Sequence, residues 1–497
     1  MIAKATRNLI AVAAIAIVAP VGAVQPAPFS AEAACEDCLS PEASRADLRE
    51  LFERLEAEHI DLFARVSRDD YAAKIDELIA RIEGPISRRD FALMVQEAMA
   101  FGRIAHAKTD APLQQLFAHI GEGGSIIPLS IVYRGEVMIT DQWANEADWM
   151  PPGSRITHIA GLTLAEFESR IRPLVPADTD LLFRSQVEMA LPAYLYHAFG
   201  PIDELSVGFV NPDGEPGEAT IPAIEFGAMY AMQDARPVPS AARPSSERAY
   251  EYLGEGVFYL KPGPFFLNEE ERGEDGEAYA IGPFAAFVET AFAALRDSNA
   301  SDLIIDLRSN PGGDASFSDL IIARLADQPY RHSSFYQVRA GANTKASWAD
   351  WSGDPDSLGG MVAEAVRTAE IGERIAIDLP MVEPLQDMAF DGRVFVLINK
   401  HSYSNAVVVA ALMQDQGMAI IMGEETADLP TTYAAVETFT LAESELPITY
   451  PKAFMVRPSG SRDIRGVIAD FPIAPNPIGE ARDIMLETAV TQIRLTR

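Results

Sequence analysis

The chain has 497 residues, and at about 150 residues per domain this length predicts about three domains. Its 73 acidic and 40 basic side chains give a net charge of −33, and such a surface repels phosphate backbones and anionic lipid headgroups. We therefore expect neither nucleic acid nor an anionic membrane as a partner. Hydrophobic residues make up 48% and charged residues 23%, which is typical of a globular protein with several cores.

The first 23 residues have the layout of a secretory signal peptide. Lys4 and Arg7 precede an apolar run from Leu9 to Ala19, and the small residues that follow end at Ala23. The run is shorter than the roughly 20 residues of a membrane-spanning helix, and no later stretch approaches that length. We expect residues 1–23 to be a signal peptide and the mature protein to be exported, periplasmic or extracellular, without membrane insertion.

Cys35 and Cys38 are the only cysteines, and they lie just after this segment. Neither a thioredoxin-like βαβ unit nor a second pair of zinc ligands accompanies them. We therefore expect either a local disulfide or two idle thiols.

The segment 40–120 is predicted to form a helical domain. Ser40 followed by Pro41 is a typical helix start, and apolar residues then recur at helical spacing, as they do again after Ser87. The next segment, 125–225, consists of short β-rich runs between turn signals. This change of pattern predicts a second, β-rich module.

Residues 233–246 are rich in proline and serine, which predicts a linker. In the segment 247–497, apolar strand-like runs alternate with helix-like runs. This alternation is typical of a sheet covered by helices, with functional sites in the loops that follow the strands. The predicted fold class is therefore α/β and multidomain.

Two strand-to-loop junctions in this last segment have residues suited to acyl transfer. LIIDLRSNPGGD, residues 303–314, ends a buried strand at Gly312 and Gly313, whose N–H groups can face a cleft without side-chain obstruction. VFVLINKHSYSNAVVVAALMQD continues from a strand into a helix near Ser404, beside the free N–H groups of the helix N-terminus. Taken singly, the first is equally typical of an ordinary turn and the second of an ordinary N-cap.

The two junctions are followed by GEET, LPITYP and RGVIADFPI, which begin at Gly423, Leu446 and Arg465. In this order and spacing the motifs resemble those of the S41 peptidase family, closely from about residue 253 onward and more loosely before it. The resemblance implies a crotonase-like α/β catalytic domain in the segment 247–497.

The resemblance also implies that the segment 125–225 is a PDZ-like module. Such a module binds an extended peptide by adding a strand to a sheet edge. Ala160 replaces an asparagine of the family pattern, so that peptide binding and a purely structural role both remain open.

By the same resemblance, Ser404 is the nucleophile of a serine-type peptidase. The N–H groups of Gly312 or Gly313, together with that of Ser404 or Asn405, would form the oxyanion hole. One branch of the family activates its serine with a lysine in the GExTxGK segment. Leu429 stands at that place here, and the whole segment lacks lysine, which implies the serine–histidine–acid branch.

His106 is the general base that the resemblance implies. The segment GRIAHAKTD, followed by IIPLSIVY, has the family's order of helix, histidine loop and strand. His106 would take the proton of Ser404 and later return it to the leaving amine. His401, three residues before Ser404, is the alternative base.

The acid that orients the histidine falls at Asp463, three residues before the glycine of the GV motif. Relatives more often carry glutamate at this place, and aspartate is one methylene shorter. Glu424, Glu425 and Asp470 therefore remain alternatives.

The sequence thus predicts an exported serine endopeptidase. It would hydrolyse extended polypeptides through an acyl-enzyme on Ser404, and we expect no cofactor and no metal. A non-catalytic protein that binds an apolar ligand or a peptide on the same fold is the alternative, and an acyl transferase or esterase is a third hypothesis. The oligomeric state is left open.

Overall fold

The structure is a computed structural model that describes residues 38–134, 136–139, 149–229, 245–272, 276–353, 355, 357–385, 390–478 and 480–497. The predicted signal peptide, Cys35 and most of the predicted linker lie outside these residues. Cys38 is disulfide-bonded, which is one of the two states expected for it. Among the described helices, none combines the length and apolar character needed to cross a membrane.

Four helices follow one another at the start of the described chain, at Pro41–Glu58, Arg68–Ala80, Arg88–Phe101 and Ala111–Gly121. Ser40, Ser67 and Ser87 each precede one of the first three helices and accept a backbone N–H from its first turn. The short strands Cys38–Leu39 and Ile86–Ser87 pair antiparallel beside them.

These helices share a hydrophobic core with a long C-terminal hairpin. The hairpin strands Thr432–Thr440 and Pro447–Val456 pair antiparallel, and Phe439, Ile448 and Tyr450 pack against the helices. The hairpin belongs to a four-stranded sheet that the strands Phe335–Arg339 and Arg374–Ile377 complete. The beginning and the end of the chain are therefore held together by one core.

A second sheet, which is antiparallel, comes after the four helices and before the last segment in chain order. Its strands, in spatial order, are Ile131–Arg134, Glu136–Ile139, Arg155–Ile159, Glu204–Val210 and Pro216–Pro222, with Leu162–Thr163 added at the third. The short strands Ser125–Ile126 and Ile224–Glu225 pair next to it. The helices Leu164–Ile171 and Asp180–Phe199 and a 3₁₀ turn at Arg172–Leu174 pack with this sheet.

The last segment is built on a six-stranded sheet. Its strands, in spatial order, are Ala249–Tyr252, Val257–Lys261, Asp302–Asp306, Arg393–Ile398, Ile420–Gly423 and Phe471–Pro472. The first pair is antiparallel and the others are parallel. The further helices of this segment are Glu269–Arg272, Ile281–Ser298, Ala315–Ile322, Ala342–Ser347, Leu358–Thr368, Asn405–Asp415 and Ile484–Leu495.

Alternate residues of the central strands face two different cores. Leu303 and Ile305 pack with the helices Ile281–Ser298, Ala315–Ile322 and Asn405–Asp415, whereas Ile304 packs with the helix Ile484–Leu495. This period of two, with helices on both faces, is what a buried parallel sheet requires. Because adjacent parallel strands end at the same edge, the sheet brings the loops after Asp306 and Ile398 side by side.

Candidate active site

The two predicted junctions are bonded to each other. The backbone N–H of Tyr403 donates to the carbonyl of Asn310 over 2.9 Å. The side chain of Asn399 accepts the N–H of Ser309 over 2.8 Å and donates to its hydroxyl over 3.1 Å. The glycine turn and the serine loop therefore form one unit, in which neither can shift without the other.

Ser404 has a strained backbone at the start of the helix Asn405–Asp415. Its φ of 51° and ψ of −124° lie in a region that residues with a β-carbon rarely adopt. Its hydroxyl makes no capping hydrogen bond to the helix, so Ser404 does not have the bonding of an ordinary N-cap. A serine on a sharp, strained turn between a strand and a helix is the geometry of a nucleophile elbow, which presents the hydroxyl outward.

Two backbone N–H groups beside Ser404 are available to an oxyanion. The N–H of Gly312 donates to Oδ1 of Asn310 over 2.9 Å, and that of Ser404 donates to Oδ2 of Asp428 over 2.7 Å. In the part of the chain that the structure describes, the N–H groups of Gly313 and Asn405 donate to no acceptor. Of the predicted donors, the structure thus leaves Gly313 and Asn405 free.

Gly312 is needed for space as well as for conformation. Its φ is 86°, and a β-carbon on it would lie 2.7 Å from the nitrogen of Asn405 and 2.8 Å from the β-carbon of Ser404. Gly313, with a φ of 130°, is similarly tight against the backbone of Phe265. Any side chain at Gly312 would therefore displace the serine loop.

His106 lies against the serine loop. Its ring centroid is 5.4 Å from that of Tyr403, the residue before Ser404. On one side, the N–H of Ala105 donates to Oδ2 of Asp178 over 3.0 Å. On the other side, Lys108 exchanges two backbone hydrogen bonds with Thr449 of the hairpin. The structure thus brings the predicted base to the predicted nucleophile loop from a segment about 300 residues earlier in the chain.

Both ring nitrogens of His106 are buried, and neither bonds to another side chain among the described residues. A hydrogen bond to Ser404 is therefore not formed in this structure. Burial lowers the pKa of His106 to about 4, with the charge of Lys108 acting in the same direction and that of Asp178 against it. The ring is neutral near pH 7, which is the state that a general base requires.

The ring of His401, the alternative base, already bonds to two other side chains. Its Nε2 lies 3.0 Å from Oε2 of Glu188, and its Nδ1 lies 2.8 Å from the hydroxyl of Ser185. Both partners belong to the helix Asp180–Phe199. The two ring nitrogens are thus already engaged, unlike those of His106.

Asp463 does not orient His106 in this structure. Its side chain is exposed and accepts the hydroxyl of Ser461 over 2.9 Å, so its short carboxylate is bonded within its own turn. It lines a surface cavity of about 300 Å³ that also contains Pro430 and Gln414.

The alternative acids do not bond to His106 either. Glu425 pairs with Arg465 over 3.0 Å, Asp470 accepts the N–H of Ile421 over 2.8 Å, and Glu424 faces a different cavity.

Two buried carboxylates that the sequence analysis did not single out lie nearer to the serine and the histidine. Asp428 accepts the N–H of Ser404 through Oδ2, and its Oδ1 has no partner among the described residues. Burial raises the pKa of Asp428 to about 6. Asp178 accepts the N–H next to His106 and pairs with Arg65 over 3.3 Å. Asp428 directly precedes Leu429, which stands at the position of the lysine in the other branch of the family. No local pattern pointed to Asp178.

No cluster of three or more potential metal ligands occurs within the described ranges. A strained serine, two free N–H groups and a neutral histidine with buried ring nitrogens are the groups that acyl transfer needs from a protein. The fold and the site together are those of a serine hydrolase.

Comparison with known families makes this class narrower. Residues 280–473 match the model of peptidase family S41. Over these residues the chain matches a family of serine-type peptidases, which confirms the predicted resemblance to that family and the predicted enzyme class, whereas the serine–histidine–acid branch stays a prediction. Curated protein sequences give no match to the chain.

Among solved structures, the chain is similar to mature CPAF complexed with lactacystin. The identity is 13%, 92% of this chain and 97% of that chain are covered, and the TM-score is 0.63. Another structure of mature CPAF gives 13% identity, 91% and 96% coverage and a TM-score of 0.60. The photosystem II D1 C-terminal processing protease gives 14% identity, 87% and 93% coverage and a TM-score of 0.42. At these identities the two CPAF structures support the mixed α/β multidomain fold alone, while the PDZ-like and crotonase-like assignments stay predictions.

Proposed function

We propose that the protein is an exported serine endopeptidase that cleaves extended polypeptides through an acyl-enzyme on Ser404. The observation that carries the proposal is the strained Ser404, with the free N–H groups of Gly313 and Asn405 beside it. A tetrahedral oxyanion next to Ser404 Oγ would receive hydrogen bonds from these two donors, which are already fixed in place.

His106 is the proposed general base. It removes the hydroxyl proton as Ser404 Oγ bonds to the substrate carbonyl carbon, and it returns that proton to the amine when the C–N bond breaks. A water molecule, deprotonated in the same way, then releases the acid product and restores Ser404. Since the bond between Ser404 and His106 is not formed here, we propose that it forms when substrate binds, as catalytic hydrogen bonds often do.

The acid of the mechanism is proposed to be Asp178 or Asp463. Asp178 is supported by its hydrogen bond to the loop of His106 and by its effect of raising the pKa of that histidine. Asp463 is supported by its place in the sequence motif, and the role would require its turn to move. Asparagine variants at the two positions separate these proposals, because only the true partner stabilises the imidazolium that forms in the transition state.

The test of the nucleophile is labelling with a fluorophosphonate probe. We expect the wild type to be labelled, Ser404→Ala to be unlabelled and His106→Gln to be labelled far more slowly. His158→Gln is the matched control, because His158 is exposed and its Nδ1 lies 3.2 Å from the hydroxyl of the neighbouring Thr157, so that its replacement should leave labelling unchanged. Undiminished labelling of Ser404→Ala would overturn the assignment.

A non-catalytic binding protein on the same fold is the second candidate. It is favoured by one observation, namely that the N–H of Ser404 and the ring of His106 are not arranged for catalysis in this structure. An unlabelled wild type that also cleaves no denatured polypeptide would support this candidate.

The export proposal rests on residues 1–23 and is tested by N-terminal sequencing. We expect the protein recovered from outside the cytoplasm to begin after Ala23, and an intact Met1 in that fraction would contradict the proposal.

A further inference from the structure

The loops after three neighbouring strands lie side by side at the proposed oxyanion hole. The strands Val257–Lys261, Asp302–Asp306 and Arg393–Ile398 are adjacent and parallel, so their following loops share one edge of the sheet. The glycine turn follows the second strand and the serine loop follows the third. The first strand is followed by the segment Pro262–Phe266, which the proposed mechanism does not use.

This segment is bonded on one side to the glycine turn. The carbonyl of Gly263 accepts Nδ2 of Asn310 over 2.7 Å. Phe265 donates its N–H to the residue before Gly313 over 2.8 Å and accepts the N–H of the residue after it over 2.9 Å. A β-carbon on Gly313 would lie 2.3 Å from the carbonyl oxygen of Phe265. The N–H of Gly313 therefore keeps its place only while Phe265 keeps its own.

The other side of the segment faces the guanidinium group of Arg248. The carbonyls of Pro262, Pro264 and Phe266 all accept its N–H groups, the last two over 2.7 and 2.6 Å. Proline lacks an N–H group, so this side presents carbonyls without the matching donors of a strand. An added β-strand could not pair fully with it, whereas a cation with several N–H groups can.

All five N–H groups of Arg248 are used. Besides the three carbonyls, both oxygens of the Glu271 carboxylate accept from it, one of them over 2.9 Å. The side chain is 6% exposed, and its Cζ lies 4.6 Å from the ring centroid of Phe284. The buried charge is therefore paired with Glu271, and the set of bonds requires an arginine, since lysine has only three donors.

We propose that Arg248 is a positioning residue of the oxyanion hole. The inference rests on the proposed function, in which the N–H of Gly313 is a donor to the oxyanion. Arg248 acts through the segment Pro262–Phe266 rather than on the substrate. Without the guanidinium group three carbonyls lose their donor, and the movement of Phe265 displaces Gly313. Because an oxyanion forms only in the transition state, kcat should fall while KM is kept.

The test measures kcat and KM for hydrolysis of fluorescein-labelled casein, at a temperature at which circular dichroism shows each variant to be folded. We expect kcat of Arg248→Gln to fall by at least about tenfold, since loss of a whole oxyanion donor costs about 100- to 1,000-fold. KM should change by less than about twofold. Arg248→Lys keeps the charge but only three donors, so that it should lose less and supplies the second variant if Arg248→Gln does not fold.

Arg393→Gln is the matched control. Arg393 bonds to the carboxylate of Asp302 and to the carbonyls of Ile493 and Thr496. It begins the strand Arg393–Ile398, whose other end leads into the serine loop. The control thus removes a comparable set of bonds and should keep its kcat. Equal falls of kcat in Arg248→Gln and the control, or a loss in Arg248→Gln that lies wholly in KM, would overturn the proposal.

Hydrogen exchange separates this inference from the proposed function. The N–H groups of Phe265 and Asp314 make the bonds that join the segment to the glycine turn. Deuterium uptake in peptides that contain them should rise in Arg248→Lys and not in Arg393→Gln. Unchanged uptake in Arg248→Lys would overturn the proposal even in an active enzyme. An inactive wild type with raised uptake in Arg248→Lys would reject the proposed function and support the link from Arg248 to the glycine turn.

Discussion

The backbone N–H of Ser404 donates to Oδ2 of Asp428 over 2.7 Å. The other carboxylate oxygen, Oδ1, is buried without a partner among the described residues. The bond holds Ser404 in its strained conformation and also occupies the N–H nearest to the serine hydroxyl. Asp428 therefore acts on the nucleophile by fixing its backbone, while Gly313 and Asn405 supply the free donors.

The first prediction concerns the cost of burying Asp428. Burial raises its pKa from 3.8 to about 6 in the folded chain, so that the unfolded chain loses this proton at lower pH. The contribution of the Asp428 proton to the free energy of unfolding of the wild type is fully present below about pH 4 and is lost as the pH rises to about 6. We expect the unfolding free energy of Asp428→Asn, relative to the wild type, to increase by about 2 kcal/mol between these two pH values. Urea denaturation of both proteins measures it, and a difference that does not change with pH would contradict the assigned burial.

The second prediction concerns the pH dependence of kcat/KM. His106 must be neutral to act as base, and burial lowers its pKa to about 4. We therefore expect activity to persist below pH 6.5, where an ordinary histidine becomes protonated.

Two charge variants should shift the acid limb of the kcat/KM profile, the pH range in which His106 becomes protonated, in opposite directions. Lys108 lowers the pKa of His106 and Asp178 raises it. Lys108→Gln should therefore shift the limb to higher pH and Asp178→Asn to lower pH. Shifts of both variants in the same direction would exclude His106 as the titrating group.

The third prediction concerns Gly312. In Gly312→Ala the new β-carbon would meet the nitrogen of Asn405 at 2.7 Å, and we expect kcat/KM to fall by about 100-fold, since small displacements of catalytic groups have effects of that size. Gly417→Ala is the matched control, because Gly417 also has a positive φ, 69°, but no neighbouring atom within 4 Å. The control should lose about 1 kcal/mol of stability and keep its activity. Equal losses of activity in the two variants would assign the effect to backbone strain alone.

The combination of several motifs in one order and spacing, and no single motif, predicted the roles of the serine and the glycine turn. Gly312, Gly313 and Ser404 lie in the loops that follow two apolar strands, and parallel strands bring their following loops together. His106 was found through the order of helix, loop and strand.

The role of the acids depends on packing that no local pattern encodes. Asp178 is 73 residues from Ala105, whose N–H it accepts. His401 is engaged by the helix Asp180–Phe199, which is kinked at Ala190 and contains Pro192, so that its sequence has no continuous one-sided helical stripe. Asp463 was placed by its motif, but its carboxylate is bonded to Ser461 two residues away.

The last prediction compares glycine and alanine at position 404. Glycine normally makes a folded protein less stable than alanine does, because it gains more freedom on unfolding. At a φ of 51° and ψ of −124° the order should reverse, since alanine keeps the strain that glycine avoids. We expect Ser404→Gly to be more stable than Ser404→Ala by about 1 kcal/mol in urea denaturation, while neither variant is labelled by a fluorophosphonate. If Ser404→Ala is the more stable of the two, Ser404 is not strained. If the order reverses as expected, the strain belongs to the serine loop itself, and the hydrogen bonds to Asp428 and Asn310 are what maintain it.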